Sequence, residues 1–128
     1  MSVPRSSMTT GHERRELPEA GDLVWVDLRP TLGREQSGVR PALVLTSREF
    51  HARNATAIVC PVTRNVDPGP TKVVLPQGLA IAGAILADQV RNVDRAARGF
   101  RRIDSVPVET LDAVRRKLAN LLGLNPLP

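Results

Sequence analysis

The C-terminal segment of this chain carries apolar residues at helical spacing, and the segments before it do not. Between residues 108 and 122, Leu111, Val114, Leu118, Leu121 and Leu122 recur every three or four positions, as one buried helix face requires. Upstream, the apolar residues come in short runs rich in Val, Ile and Leu, bounded by Gly and Pro. These runs, at residues 22–28, 42–46, 57–60, 72–75, 83–90 (with a continuation toward 93) and 100–103, read as strands. The run at 42–46 is continuously apolar and is expected to be buried on both faces. Pro61 is expected to stop the third strand. Strands that do not alternate with helices exclude a doubly wound sheet. They point to a mainly β fold, a small and strongly bent sheet or barrel with one terminal amphipathic helix packed on it. That helix has Pro107 at its entry, Glu109 and Asp112 early, Arg115, Arg116 and Lys117 late, and Gly123 as its stop.

A chain of 128 residues suits one domain. Residues 1–19 mix Ser, Thr, Pro, Arg and Glu without apolar periodicity and read as a disordered extension, either inert or an arm that touches nucleic acid. The domain is expected over 20–124, with a short tail at 125–128. Trp25, Phe50 and Phe100 are the whole aromatic complement, so aliphatic side chains must fill the core. No apolar run is long enough for a membrane helix, and the polar start lacks the apolar region of a signal peptide, which makes a cytoplasmic location the default. Cys60 is a single cysteine with only His12 and His51 beside it, so neither an internal disulfide nor a cysteine-based zinc site is expected. His51 is expected to lie exposed in the polar segment 47–56.

The net charge is +5, and of 18 basic residues only Lys72 and Lys117 are lysines. Arginine grips phosphate in a planar, bidentate way that lysine does not, which directs attention to an anionic partner. Residues 29–41 form a long stretch with no apolar periodicity, the kind of loop that in a small domain usually has a function. Pro41 restrains Arg40 to an extended backbone. Arg40 can then aim its donors at a phosphate, or pair with Glu35 and tie down the loop. Thr63, after an apolar run, can donate its hydroxyl to a phosphate oxygen or simply cap a turn. Arg91, Arg95, Arg98, Arg101 and Arg102 can follow a nucleic-acid backbone or form a solvated face. Asp88 and Gln89 at a strand end can read a base edge or cap a turn. Cys60 sits in an apolar run and reads as an inert core thiol. No phosphate-binding glycine loop, acidic two-metal cluster or serine nucleophile elbow is present.

Several strings occur in a telling order. They are Gly21-Asp22-Leu23-Val24-Trp25-Val26-Asp27-Leu28, Pro30-Thr31, Gly33-Arg34-Glu35-Gln36-Ser37-Gly38-Val39-Arg40-Pro41, Ala42-Leu43-Val44-Leu45, Cys60-Pro61-Val62-Thr63, Ala87-Asp88-Gln89-Val90 and Ala97-Arg98-Gly99. In this order, and with the terminal helix, the chain resembles the MazF/PemK family of toxin endoribonucleases from type II toxin–antitoxin modules. The resemblance runs over residues 21–124. It implies an SH3-like small β-barrel with a C-terminal helix, a homodimer, an acidic antitoxin partner and sequence-specific cleavage of single-stranded RNA such as mRNA without metal or other cofactor. The family's catalytic arginine and threonine fall on Arg40 and Thr63, and Glu35 matches an acidic position beside them. Gln36 and Gln89 match glutamines of the substrate groove, and Arg34, Arg64 and Arg98 complete the expected RNA-contacting set.

In such a reaction the 2′-OH attacks the adjacent phosphorus and leaves a 2′,3′-cyclic phosphate and a 5′-OH. Donors from Arg40 and Thr63 would stabilise the charge that gathers on the phosphorane. A guanidinium holds its proton too firmly to be a base, so Glu35 is the expected general base, and Arg40 the charge stabiliser or also a proton donor to the leaving oxygen. The chain departs from the pattern at Arg64, where a second hydroxyl after Thr63 is missing, and in the loop 47–56, an expected specificity element. A non-enzymatic, gyrase-poison-like toxin of the same fold, or an SH3-like binding module, would leave Arg40 and Thr63 without a shared task.

Overall fold

In the computed structural model, which describes residues 17–29 and 38–124, the apolar runs form an antiparallel seven-stranded sheet. The strands are β1 (Asp22–Asp27), β2 (Val39–Val44), β3 (Thr56–Thr63), β4 (Lys72–Val74), β5 (Ala84–Leu86), β6 (Arg91–Asp94) and β7 (Arg101–Ser105). Helix α1 (Arg48–Arg53) precedes β3, the single turn α2 (Arg95–Arg98) precedes β7, and α3 (Val108–Leu121) closes the chain. The strand order is β4-β5-β3-β2-β1-β7, with β6 also on β3. The fold is mainly β with a terminal helix, as the sequence pattern requires.

β3 organises the sheet. Along one edge Val59, Cys60 and Pro61 pair with β2. Along the other, Thr56 to Val59 pair with β6, while Val62 and Thr63 pair with β5. Contrary to the expectation that Pro61 ends the strand, β3 runs through it. Pro61 falls between the β6 and β5 pairings, where a missing backbone donor breaks no ladder on that edge. The run at 83–93 is likewise two strands, divided by a tight turn at Ala87–Gln89, and both halves lie along β3.

The sheet is buried on both faces. Leu23, Leu43, Cys60, Val62 and Ile85 pack with Leu111 and Val114 of α3. Val24, Val26, Ala42, Val44, Ala57, Val59 and Val93 form the second layer, with Leu28 and Phe100 against it. Alternate residues of one strand therefore enter different cores, which is why the strands read as unbroken apolar runs. On α3, the apolar stripe is only partly covered. Val114 is fully buried, but Leu121 and Leu122 are 48% and 64% exposed, so the expected core face ends a turn early. The helix stops at Leu122 and Gly123, whose φ of +71° is the left-handed conformation glycine adopts without a Cβ penalty. Among the described residues no helix is long and apolar enough to cross a membrane.

The segment 47–56, expected as an open loop, contains α1. Ser47 caps it by accepting the Phe50 N–H at 3.1 Å. His51, expected at the surface, is 2% exposed. Its Nδ1 lies 2.8 Å from the Pro18 carbonyl and its Nε2 2.6 Å from the Thr46 hydroxyl. A carbonyl only accepts, so Nδ1 carries the proton and Nε2 accepts from Thr46. Glu19 joins this contact by accepting the Arg48 backbone N–H at 2.9 Å, the main reason its carboxyl sits below its ordinary range. The domain thus engages the chain at Pro18 and Glu19, ahead of the expected start at residue 20. Residues 1–16 and 125–128 lie outside the described residues.

Burial, followed by the positive charge of Arg95, holds the His51 imidazole below its ordinary pKa despite the Pro18 contact. The unfolded chain then takes up a proton near pH 6.5 while the folded one does not. Stability should be full above that pH and decline as pH falls below it, until the folded imidazole also protonates. Thermal melts from pH 7.5 to 5 should show this decline, and His51→Gln should flatten it. Parallel profiles for the two proteins would disprove the assignment.

Candidate active site

The ends of β1, β2 and β3 enclose a cleft of about 540 Å³ lined by Trp25, Arg40, Pro41, Thr63, Arg64 and Ile81, with Val39, Val62 and Ala82 completing it. Arg40 and Thr63, 23 positions apart in sequence, meet here because β2 and β3 are paired neighbours. Arg40 is exposed on β2 opposite Val26. Among the described residues its guanidinium has no hydrogen-bond or ion-pair partner. Its charge is therefore not consumed by the fold.

Thr63 ends β3. Its Oγ1 accepts the Asn65 N–H at 3.1 Å, which fixes the side chain and leaves the hydroxyl proton available to donate. The backbone beneath it is held from the other side. Thr63 pairs with Ala84 of β5, and Gly83 presses against the Thr63 carbonyl, where a Cβ would lie only 2.5 Å away. Lys72 Nζ binds the carbonyls of Asn65 and Asp67, each at 3.1 Å, and secures the chain just after Thr63. The wall carrying Ile81 and Ala82 is tied to β7 by the Ala80 N–H, which donates to the Asp104 carboxylate at 2.8 Å.

The neck of the segment 30–37 sits beside the cleft. Leu28 N–H donates to the Gly38 carbonyl at 3.1 Å. Asp27 pairs with Arg29, whose side-chain hydrogen bonds hold the Asp27 carboxyl down to about 2. An acid so firmly ionised is a poor proton shuttle near neutral pH. Arg91 donates to the Leu28 carbonyl at 2.9 Å, and Arg98 to the carbonyls of Asp27 and Arg29.

The structure therefore separates the expected site residues. Arg40, Thr63 and Arg64 share the cleft. Arg98 is engaged with backbone carbonyls outside its lining. Gln89 is exposed on the turn after β5 and also lies outside the lining. Arg34, Glu35 and Gln36 lie outside the described residues. Among the described residues, none that lines the cleft is Asp, Glu or His, and no three such groups or cysteines converge as a metal site. Burial pushes the Cys60 thiol up to about 12, so it has no nucleophilic role near neutral pH. The sequence marked Trp25 only as part of the first strand and its motif, and gave no sign of Ile81, Ala82 or Gly83 as parts of the site. Trp25 is the one tryptophan of the chain, opposite Pro41 in the β1–β2 register, and was the available signal.

Residues 19–122 match the family model described as PemK-like, MazF-like toxin of type II toxin–antitoxin system. The chain is 38% identical over 109 residues to the endoribonuclease toxin MazF of Escherichia coli K12, covering 85% of this chain and 97% of that one. It is 34% identical over 113 residues to the endoribonuclease PemK of Escherichia coli, covering 85% of each. Among solved structures, the MazE–MazF crystal structure (form II) from Deinococcus radiodurans superposes with a TM-score of 0.79 at 38% identity, over 85% of this chain and 98% of that one.

Proposed function

Because the chain belongs to the PemK-like, MazF-like toxin family of type II toxin–antitoxin systems, we propose that its β1–β2–β3 cleft cleaves single-stranded RNA with Arg40 and Thr63. The protein is an endoribonuclease and the toxin of its pair, with an antitoxin as partner. A non-enzymatic, gyrase-poison-like role is not favoured, since the relatives are endoribonucleases.

The observation that carries the residue assignment is the meeting of an unpaired guanidinium and a backbone-fixed hydroxyl in one cleft. Both are donors, and the reaction that needs donors is one that develops negative charge. As the 2′-OH attacks phosphorus, its electron pair forms the new P–O bond. The P–O5′ bond breaks with its electrons, and the leaving oxygen takes a proton from solvent water to become a 5′-OH. Arg40 neutralises the extra charge on the non-bridging oxygens, and Thr63 donates a hydrogen bond to one of them. Arg64 guides the flanking strand. Glu35 is assigned the 2′-OH proton, Arg34, Gln36 and Gln89 remain assigned to the substrate track, and Arg98, which donates to the carbonyls of Asp27 and Arg29, is assigned to holding the end of β1 beside it. No metal is required for this scheme, because the charge is met by the guanidinium. The protein is assigned to the cytoplasm, where its RNA substrate is.

The test is incubation of the purified protein with a long single-stranded RNA in excess EDTA, followed by mapping of the ends. Discrete cuts with 5′-OH ends are expected, and Thr63→Ala should slow them about 10²–10³-fold, the usual loss on removing one donor to a developing oxyanion. Undiminished cutting by folded Thr63→Ala would remove Thr63 from the mechanism.

The resemblance also implies a homodimer, and a surface suits it. Leu45, Ile58, Val90, Leu118, Leu122 and Leu124 line an apolar groove beside the uncovered end of α3. A single cation, Arg115, borders it, which suits a self-complementary apolar contact better than an acidic segment. Sedimentation should give a dimer for the protein and a monomer for Leu122→Glu; a dimer that survives the substitution would place the interface elsewhere.

A further inference from the structure

Five arginines lie between residues 91 and 102, and the fold engages four of them. Arg91 and Arg98 bind the carbonyls at the end of β1. Arg95 donates to the carbonyls of His51 and Asn54, at 2.9 and 2.7 Å, which closes the C-terminal end of α1. Arg102 reaches the Asp22 carboxylate at 3.5 Å and the Ser105 hydroxyl at 3.3 Å. Arg101 is different. It is exposed, and among the described residues it has no hydrogen-bond or ion-pair partner.

Its position gives that free charge a direction. In the β1–β7 register Arg101 lies opposite Trp25, and in the β1–β2 register Trp25 lies opposite Pro41. Residues opposite one another in antiparallel strands share a face of the sheet. Pro41, Trp25 and Arg101 are thus one row across β2, β1 and β7. The first two line the cleft, and the third continues the row past its edge. With strands about 4.8 Å apart, Arg101 stands roughly 10 Å from β2 across the sheet. Arg102, the next residue, belongs to the opposite face with Val24 and Asp22.

We propose that Arg101 is an RNA-binding residue that holds a backbone phosphate of the strand flanking the scissile bond, and that the binding track leaves the cleft along its Pro41–Trp25 side toward β7. This rests on the ribonuclease reading of the cleft. An unpaired guanidinium next to an indole matches a nucleotide, whose base stacks on rings and whose phosphate accepts a forked donor. Arg101 stands outside the cleft that holds the reacting phosphate, so its contribution is to binding and not to the chemical step.

The experiment uses a synthetic RNA that contains one mapped cleavage site with several nucleotides on each side, cut by the full-length protein across a salt series. Arg101→Ala should raise KM about tenfold at unchanged kcat, the scale of one hydrogen bond to a charged group. The dependence of log kcat/KM on log salt should become shallower by about 0.7, the value of one phosphate contact on a single strand. Arg101→Lys should restore the salt slope, and Arg102→Ala should change neither quantity. Wild-type KM and salt slope in Arg101→Ala would overturn the proposal, as would a fall in kcat at constant KM. If the unaltered protein fails to cut RNA at all, the ribonuclease reading of the cleft falls and Arg101 falls with it. If it cuts and Arg101→Ala matches it, only the assignment of Arg101 is lost.

Discussion

Arg40→Ala should abolish RNA cleavage, with a loss of about 10³-fold or more, while the protein remains folded. The size follows from the charge. The phosphorane carries one more negative charge on its non-bridging oxygens than the bound phosphodiester, and an arginine placed against transferring phosphoryl oxygens is typically worth 10³–10⁵ in rate. The intact fold follows from exposure. Arg40 holds its place in β2 through its backbone, opposite Val26, and its side chain supports nothing among the described residues. Surface truncations of that kind usually shift stability by less than about 0.5 kcal/mol. Arg40→Lys gives a second reading, since it keeps the charge but not the planar fork, and should recover only part of the loss. The measurement is single-turnover cleavage in EDTA beside a thermal melt. A folded Arg40→Ala protein that cuts at the original rate would remove the residue from the mechanism.

Gly83→Ala should damage both stability and cleavage, although Gly83 would never touch RNA. A Cβ there would lie 2.5 Å from the Thr63 carbonyl oxygen and 2.9 Å from Val62 Cγ1, on a backbone with φ of +147°. Its carbonyl also accepts the Leu75 N–H at 2.9 Å, so the chain has little room to retreat. Backbone strain and overpacking together should cost about 2–4 kcal/mol, or roughly 10–20 °C in Tm for a domain near 100 residues. The cleavage rate should fall by about tenfold or more even well below Tm, because the atoms that must move are those that place Thr63. Gly78→Ala separates this contact from mere glycine strain. Gly78 has φ of +96° but nothing within 4 Å of an added Cβ, so that variant should lose some stability and no activity. Equal cleavage by folded Gly83→Ala and the unaltered protein would show that the β3–β5 contact does not position Thr63.

Local pattern determined a good part of this protein. The unbroken apolar run at 42–46 required a strand buried on both faces, and the spacing over 108–122 required a helix, of whose expected core face Leu111 and Val114 are buried. Motif order pointed to Arg40 and Thr63, and the charge to an anionic partner. What escaped the sequence depended on neighbours distant in the chain. Pro61 looked like a strand end, but it falls where β3 passes from one partner to another. His51 looked exposed in a polar segment, but Pro18 and Thr46 enclose it. Arg91, Arg95, Arg98, Arg101 and Arg102 looked alike, and only the sheet register and the carbonyls at the ends of β1 and α1 divide the structural ones from the free one. Periodicity records which side of an element is apolar, because burial acts on each residue where it stands. Which donor meets which acceptor is settled by pairing between strands, and no local pattern carries that information.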